Sequence, residues 1–118
     1  MNMKKILLID QDQKFIGDLQ AKFARRYEIL ATEDYETAIH LCRSIDIDLL
    51  LARLPPASTI CTHDKLKKML KKLRRGKYSN ITKVLTVSEQ SENQVEEYLK
   101  LGIAAIVVNV GEIDRWLK

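Results

Sequence analysis

Five polar residues stand where apolar runs give out. Asp10 and Gln11 follow "KKILLI", Arg53 follows "DLLLA", Thr86 follows "KVL" and Asn109 follows "IVV". Brought to one end of a sheet, they supply one carboxylate, one guanidinium, one hydroxyl and two amides. A carboxylate facing a guanidinium makes a strong charge-assisted hydrogen bond. It makes a poor group-transfer site, because arginine has no lone pair to attack with and stays protonated. Asp12 could join Asp10 as a weak metal ligand, but its place before a helical pattern gives it a structural task as an N-cap. No glycine-rich loop follows the first apolar run, which disfavours P-loop and dinucleotide-binding chemistry.

The other candidates are weaker. Cys61, His63 and Asp64 form a "CTHD" cluster, but a zinc site needs more ligands, and the remaining His40 and Cys42 fall on another helix. The cluster reads as loop residues leading into the N-cap of a helix. Ser88, with Glu89 and Ser91, reads as the start of the next helix. No serine or cysteine has a His–Asp context, so hydrolase chemistry is not supported and no catalytic residue is assigned. Cys42 and Cys61 lack CxxC spacing and read as reduced thiols.

Charge is distributed unevenly. The net charge of +4 conceals a block at 65–77, "KLKKMLKKLRRGK", with eight positive charges and no negative ones, which leaves the rest of the chain at −4. Lys67, Lys68, Lys71, Lys72, Arg74 and Arg75 cover the polar face of a helix whose apolar stripe is Leu66, Met69, Leu70 and Leu73. This patch reads either as a solvated face or as a docking surface for nucleic acid or an acidic protein. No aromatic residues interleave with the lysines, so single-strand stacking is not supported.

Positioning these residues takes five alternating βα units. The apolar runs at 4–10, 27–32, 48–54, 81–87 and 103–109 read as strands covered on both faces. Helical periods follow each of them. Phe15, Ile16, Leu19 and Phe23 form one stripe; Ala38, Ile39 and Cys42 form the next. Gly76 is expected to end the third helix and Gly102 the fourth. Ile113, Trp116 and Leu117 open a short fifth. The pattern gives a single doubly wound α/β domain over 1–118 with a parallel sheet, and its ligand crevice lies at the C-terminal strand ends. The longest apolar runs, such as 103–108, are too short to span a membrane, and the N-terminus lacks the features of a signal peptide. A cytoplasmic location is therefore expected.

In order and spacing the chain resembles the receiver domains of bacterial response regulators, the chemotaxis response regulator among them. "KKILLIDQD" looks like that family's opening strand and acidic pair. "DLLLARLPP" looks like the strand that delivers the phosphoacceptor aspartate, "VLTVS" like the strand ending in Thr or Ser, and "LGIAAIVVN" like the strand carrying the switch residue and the lysine. The resemblance implies a flavodoxin-like five-stranded sheet in the order 2-1-3-4-5. It also implies that Arg53 occupies the phosphoacceptor position, Gln11 the second acid of the pair, Asn109 the lysine and Ile106 the aromatic switch. Only Asp10 and Thr86 keep the family's residue type.

A receiver of the ordinary kind needs a carboxylate nucleophile, Mg²⁺ and a lysine that pairs with the phosphoryl group. Here Asp10 and Arg53 cancel and the pocket sums to zero, so Mg²⁺ binding and phosphotransfer are not expected. Arg53 then either pairs inward with Asp10 or snorkels over the loop into solvent. The expected function is that of a pseudo-receiver: a non-enzymatic, phosphorylation-independent protein-interaction module of two-component signalling. The short fifth helix belongs either to an unusually short protein or to a chain cut from a longer one; the partner would be a signalling protein, a second copy of the chain or, if cut, an attached output domain. The expected surface is helix four, strand five and helix five, the face the family uses to dimerise, with Tyr98 and Trp116 as aromatic anchors. Nucleic-acid binding through the third helix is the alternative, and an ordinary phosphorylated regulator the third reading.

Overall fold

The computed structural model describes residues 3–54, 60–87 and 95–107. Five strands, β1 (Lys4–Ile9), β2 (Tyr27–Thr32), β3 (Leu49–Arg53), β4 (Thr82–Thr86) and β5 (Ala105–Val107), form one parallel sheet in the order β2-β1-β3-β4-β5. The helices between them are α1 (Gln13–Phe23), α2 (Tyr35–Ser44), α3 (Ile60–Lys72) and α4 (Val95–Leu99), with a 3₁₀ turn at Gly76–Asn80 before β4. The strand order matches the expected doubly wound topology. The expected fifth helix, with Trp116, lies outside the described residues.

The central strands β1, β3 and β4 bury both faces, whereas the edge strand β2, expected to be covered on both, stays partly exposed. On one face Ile6, Leu8, Leu49, Leu51, Val84 and Val107 pack against Ile16, Leu19 and Phe23 of α1. On the other, Leu7, Ile9, Leu50 and Leu85 pack against Ala38 and Cys42 of α2 and the Leu66–Met69–Leu70–Leu73 stripe of α3. Local chemistry sets the helix ends. Asp12 caps α1, accepting from the backbone N–H of Lys14 at 3.0 Å and of Phe15 at 3.3 Å, which bears out its structural reading. Asp34 caps α2 in the same manner. Gly102, at φ +91°, reverses the chain after α4, with Leu101 N–H donating to the Tyr98 carbonyl at 2.9 Å.

Two boundaries differ from expectation. The α3 helix begins at Ile60, so Cys61 and His63 lie within it rather than in a loop before its cap. It ends at Lys72, and Gly76, at φ +64°, opens the 3₁₀ turn instead of closing the helix. Periodicity located the stripe correctly, but helix termini depend on capping geometry that periodicity does not encode.

Candidate functional site

Side-chain parity in the sheet assembles the site. Ile6 and Leu8 of β1, Leu49 and Leu51 of β3, and Val84 of β4 all face α1. Two residues further along each strand come Asp10, Arg53 and Thr86, on the same face by the period of two. Arg53 and Thr86 are direct register partners. The next backbone hydrogen bonds, Asp10 N–H to the Thr32 carbonyl at 3.1 Å and Leu54 N–H to the Thr86 carbonyl at 2.8 Å, hold the strand ends in line.

The Asp10 side chain is almost wholly buried, at 1% exposure, and both of its oxygens are engaged. Oδ1 accepts the Asp12 backbone N–H at 2.9 Å, and Oδ2 accepts Arg53 Nε at 2.8 Å. Arg53 thus turns inward, which decides between the two expectations for it. Its guanidinium carbon lies 4.8 Å from the centre of the Phe15 ring, and one terminal nitrogen lies 3.8 Å from Asp12 Oδ2. The arginine is clamped between a buried carboxylate, a capping carboxylate and an aromatic face, and its side chain keeps 27% exposure. With Asp12 included, the cluster carries one more negative than positive charge, so the neutral sum expected from Asp10 and Arg53 alone omits a neighbour.

Gln11 is exposed, and Ile106 is half-buried against the α2–α3 side of the core. Asn109 lies outside the described residues. Thr86 is buried, and its Oγ1 has no hydrogen-bond partner among the described residues. An unpaired buried hydroxyl costs about 1–3 kcal/mol. Thr86→Val therefore should leave the melting temperature unchanged or raise it. A fall equivalent to more than about 1 kcal/mol would show that the hydroxyl is engaged.

Two expected surface residues are not surface residues. Tyr98 is fully buried, because α4 turns it inward onto α3, where its hydroxyl meets His63 Nδ1 at 2.6 Å. It cannot serve as an exposed interaction anchor. Lys67 leaves the basic patch: it pairs with Glu97 and lies 5.5 Å over the Tyr98 ring. Lys68, Lys71, Lys72, Arg74 and Arg75 remain exposed. The His63–Tyr98 pair was missed because His63 read as a loop residue. Placing it in the helix, three residues before Leu66, puts it beside the buried stripe.

Lys83 was also passed over. It lies in β4 and is buried, and its ammonium donates to the Tyr78 carbonyl at 3.0 Å and the Ile81 carbonyl at 3.2 Å. Burial pulls its pKa below the usual lysine value. The signal was a lysine interrupting the apolar run "ITKVLTV".

No helix among the described residues is long and apolar enough to cross a membrane. No family model matches the sequence, and no curated protein matches it significantly. Solved structures do match. A response regulator from Thermotoga maritima aligns over 98% of both chains at 7% identity with a TM-score of 0.80. The signal receiver domain of an HD domain-containing protein from Pseudomonas fluorescens Pf-5 aligns over 98% of this chain and 92% of that one, at 17% identity and a TM-score of 0.77. The chemotaxis response regulator CheY4 of Vibrio cholerae aligns over 98% of this chain and all of its own, at 15% identity and a TM-score of 0.78. The chain has the flavodoxin-like fold of response regulator receiver domains.

Proposed function

We propose that this chain is a pseudo-receiver: a receiver-type signalling domain that takes no phosphate at its strand-end pocket and acts by binding another protein. The Arg53–Asp10 ion pair carries this reading. On this reading a fixed cation stands where the fold's phosphorylated members would present a carboxylate nucleophile.

The residues do not fit Mg²⁺. Both Asp10 oxygens already accept hydrogen bonds. A divalent ion on that carboxylate would stand against the guanidinium, a repulsion of several kcal/mol at short range. Gln11 brings no charge to offset it. Of the positions that the family pattern gives to metal and phosphoryl group, Asp10 and Arg53 are here bonded to each other, which supports a pocket held together without a metal ion. No enzymatic role is proposed.

The test is direct. Calorimetric titration with Mg²⁺ should give no saturable heat, and incubation with acetyl phosphate should leave the intact mass unchanged. A mass gain of one phosphoryl group on an acidic side chain would overturn the reading.

A further inference from the structure

A cleft of about 270 Å³ runs between α2 and α3. Its floor is apolar: Tyr35 and Ile39 from α2, half-buried, and Met69 from α3. One wall is cationic, made of Lys65, Lys68 and Lys72. Their spacing of three and four residues puts them on one side of α3, over about 10 Å of helix. The facing wall carries Asp34 and Glu36. The Asp34 carboxylate is committed to capping α2, accepting from the backbone N–H and the hydroxyl of Thr37.

The Lys65 charge acts on the Asp34 carboxylate across the cleft, but it makes no close ion pair. Lys65, Lys68, Lys71, Lys72, Arg74 and Arg75 form no ion pair among the described residues, whereas Lys67, on the opposite flank of the same helix, is paired with Glu97. The unpaired cations beside an apolar floor form a two-part recognition surface.

We propose that the α2–α3 cleft is the docking site for an acidic amphipathic helix of a partner protein. The inference rests on the reading of this chain as an interaction module and adds the surface and the partner's chemistry. Such a helix would set acidic residues at i, i+3 and i+7 against Lys65, Lys68 and Lys72. Its apolar stripe would cover the half-buried Tyr35 and Ile39. A nucleic-acid backbone fits less well. Its phosphates would meet Asp34 and Glu36 across the cleft, and it has no apolar stripe for the floor. The two walls of opposite sign also fix the direction in which the bound helix lies, because its acidic edge must face α3.

The probe is a fluorescein-labelled synthetic helix of about 16 residues, with glutamates at i, i+3 and i+7 and leucines on the adjacent stripe. A scrambled peptide of equal composition and a short duplex DNA serve as comparisons, all read by anisotropy. The designed helix should bind, and the scrambled peptide should bind at least about tenfold more weakly. Lys65→Glu/Lys68→Glu/Lys72→Glu, all at exposed positions, should weaken binding of the designed helix by about tenfold or more. Lys71→Glu/Arg75→Glu, at exposed positions that do not line the cleft, should change it much less. Equal binding of designed and scrambled peptides would overturn the proposal by reducing the face to a diffuse cation patch. So would tighter binding of the DNA with a steep salt dependence, or equal effects of the two sets of substitutions. These readouts are independent of phosphoryl uptake, so a failure here leaves the reading of the Arg53 pocket standing, and the reverse also holds.

Discussion

Arg53→Asp should melt roughly 10 °C below the parent, a loss of about 2–3 kcal/mol for a domain of this length. The substitution strips Asp10 of its cation and adds a second carboxylate beside it. Asp10 cannot relieve the repulsion by turning to solvent, since its side chain is 1% exposed and fixed by the Asp12 N–H. Breaking a fully buried pair costs about 3–5 kcal/mol. The smaller figure applies because Arg53 keeps 27% exposure and part of its interaction is screened. Loss of the guanidinium over Phe15 adds to the cost.

Mg²⁺ should then raise the melting temperature of the variant and leave that of the parent unchanged. Phosphoryl uptake from acetyl phosphate should stay poor in the single variant, because Gln11 supplies no second acid and Asn109 no cation. Adding Gln11→Asp and Asn109→Lys should improve both metal affinity and uptake. If Arg53→Asp melts higher than the parent, the ion pair stabilises nothing. If the single variant phosphorylates as well as the triple one, the account of which residues withhold the chemistry is wrong.

Tyr98→Ala should be more damaging, at about 3–5 kcal/mol, and Tyr98→Phe should cost about 1–2 kcal/mol. The alanine variant empties a fully buried ring site where α4 meets α3. The phenylalanine variant keeps the ring against His63, whose ring centre lies 5.8 Å away, and removes only the hydroxyl at 2.6 Å from Nδ1. Denaturant melts of the three proteins separate the two contributions. A Tyr98→Ala variant of parental stability would return Tyr98 to the surface and revive it as a binding residue.

High pH gives a second readout. Burial, then the neighbouring Tyr35, Glu97 and Asp64, push the Tyr98 phenol above its ordinary value of 10.0, and burial raises Tyr35 as well. The native state therefore holds protons that the unfolded chain releases from about pH 10 upward, and stability falls as pH rises past that point. Lys83 acts in the opposite sense. Its ammonium is disfavoured by burial, so the unfolded chain binds more protons between the lowered native value and 10.5, and stability climbs with pH through that window. Tyr98→Phe should remove its share of the alkaline loss and leave the Lys83 gain intact.

The sequence by itself determined the layers and which polar residues follow the strands. Continuous Ile, Leu and Val runs alternating with helical periods require a parallel sheet covered on both faces, because both signals are local and both come from burial. The order of strand ends, compared with the receiver pattern, is what proposes Arg53 for the phosphoacceptor position, and the lack of a lone pair on guanidinium follows from residue type alone.

Tertiary structure decided where the side chains turned. Arg53 could have reached water or Asp10. The choice fell inward because the shared parity of β1 and β3 brings a desolvated carboxylate within 2.8 Å and α1 lays Phe15 over the guanidinium. Asp12 entered the cluster for the same reason, although its sequence role was only to cap α1. Tyr98 read as a surface residue because a stretch as short as Val95–Leu99 does not show by its period which side faces inward, and Lys67 because its partner Glu97 lies on another helix. Packing of α4 against α3 settled it, burying the phenol on His63 and drawing Lys67 to Glu97. Periodicity reports the face of a long element, but the orientation of a short one and the partner of a charged side chain come from contacts between segments distant in the chain.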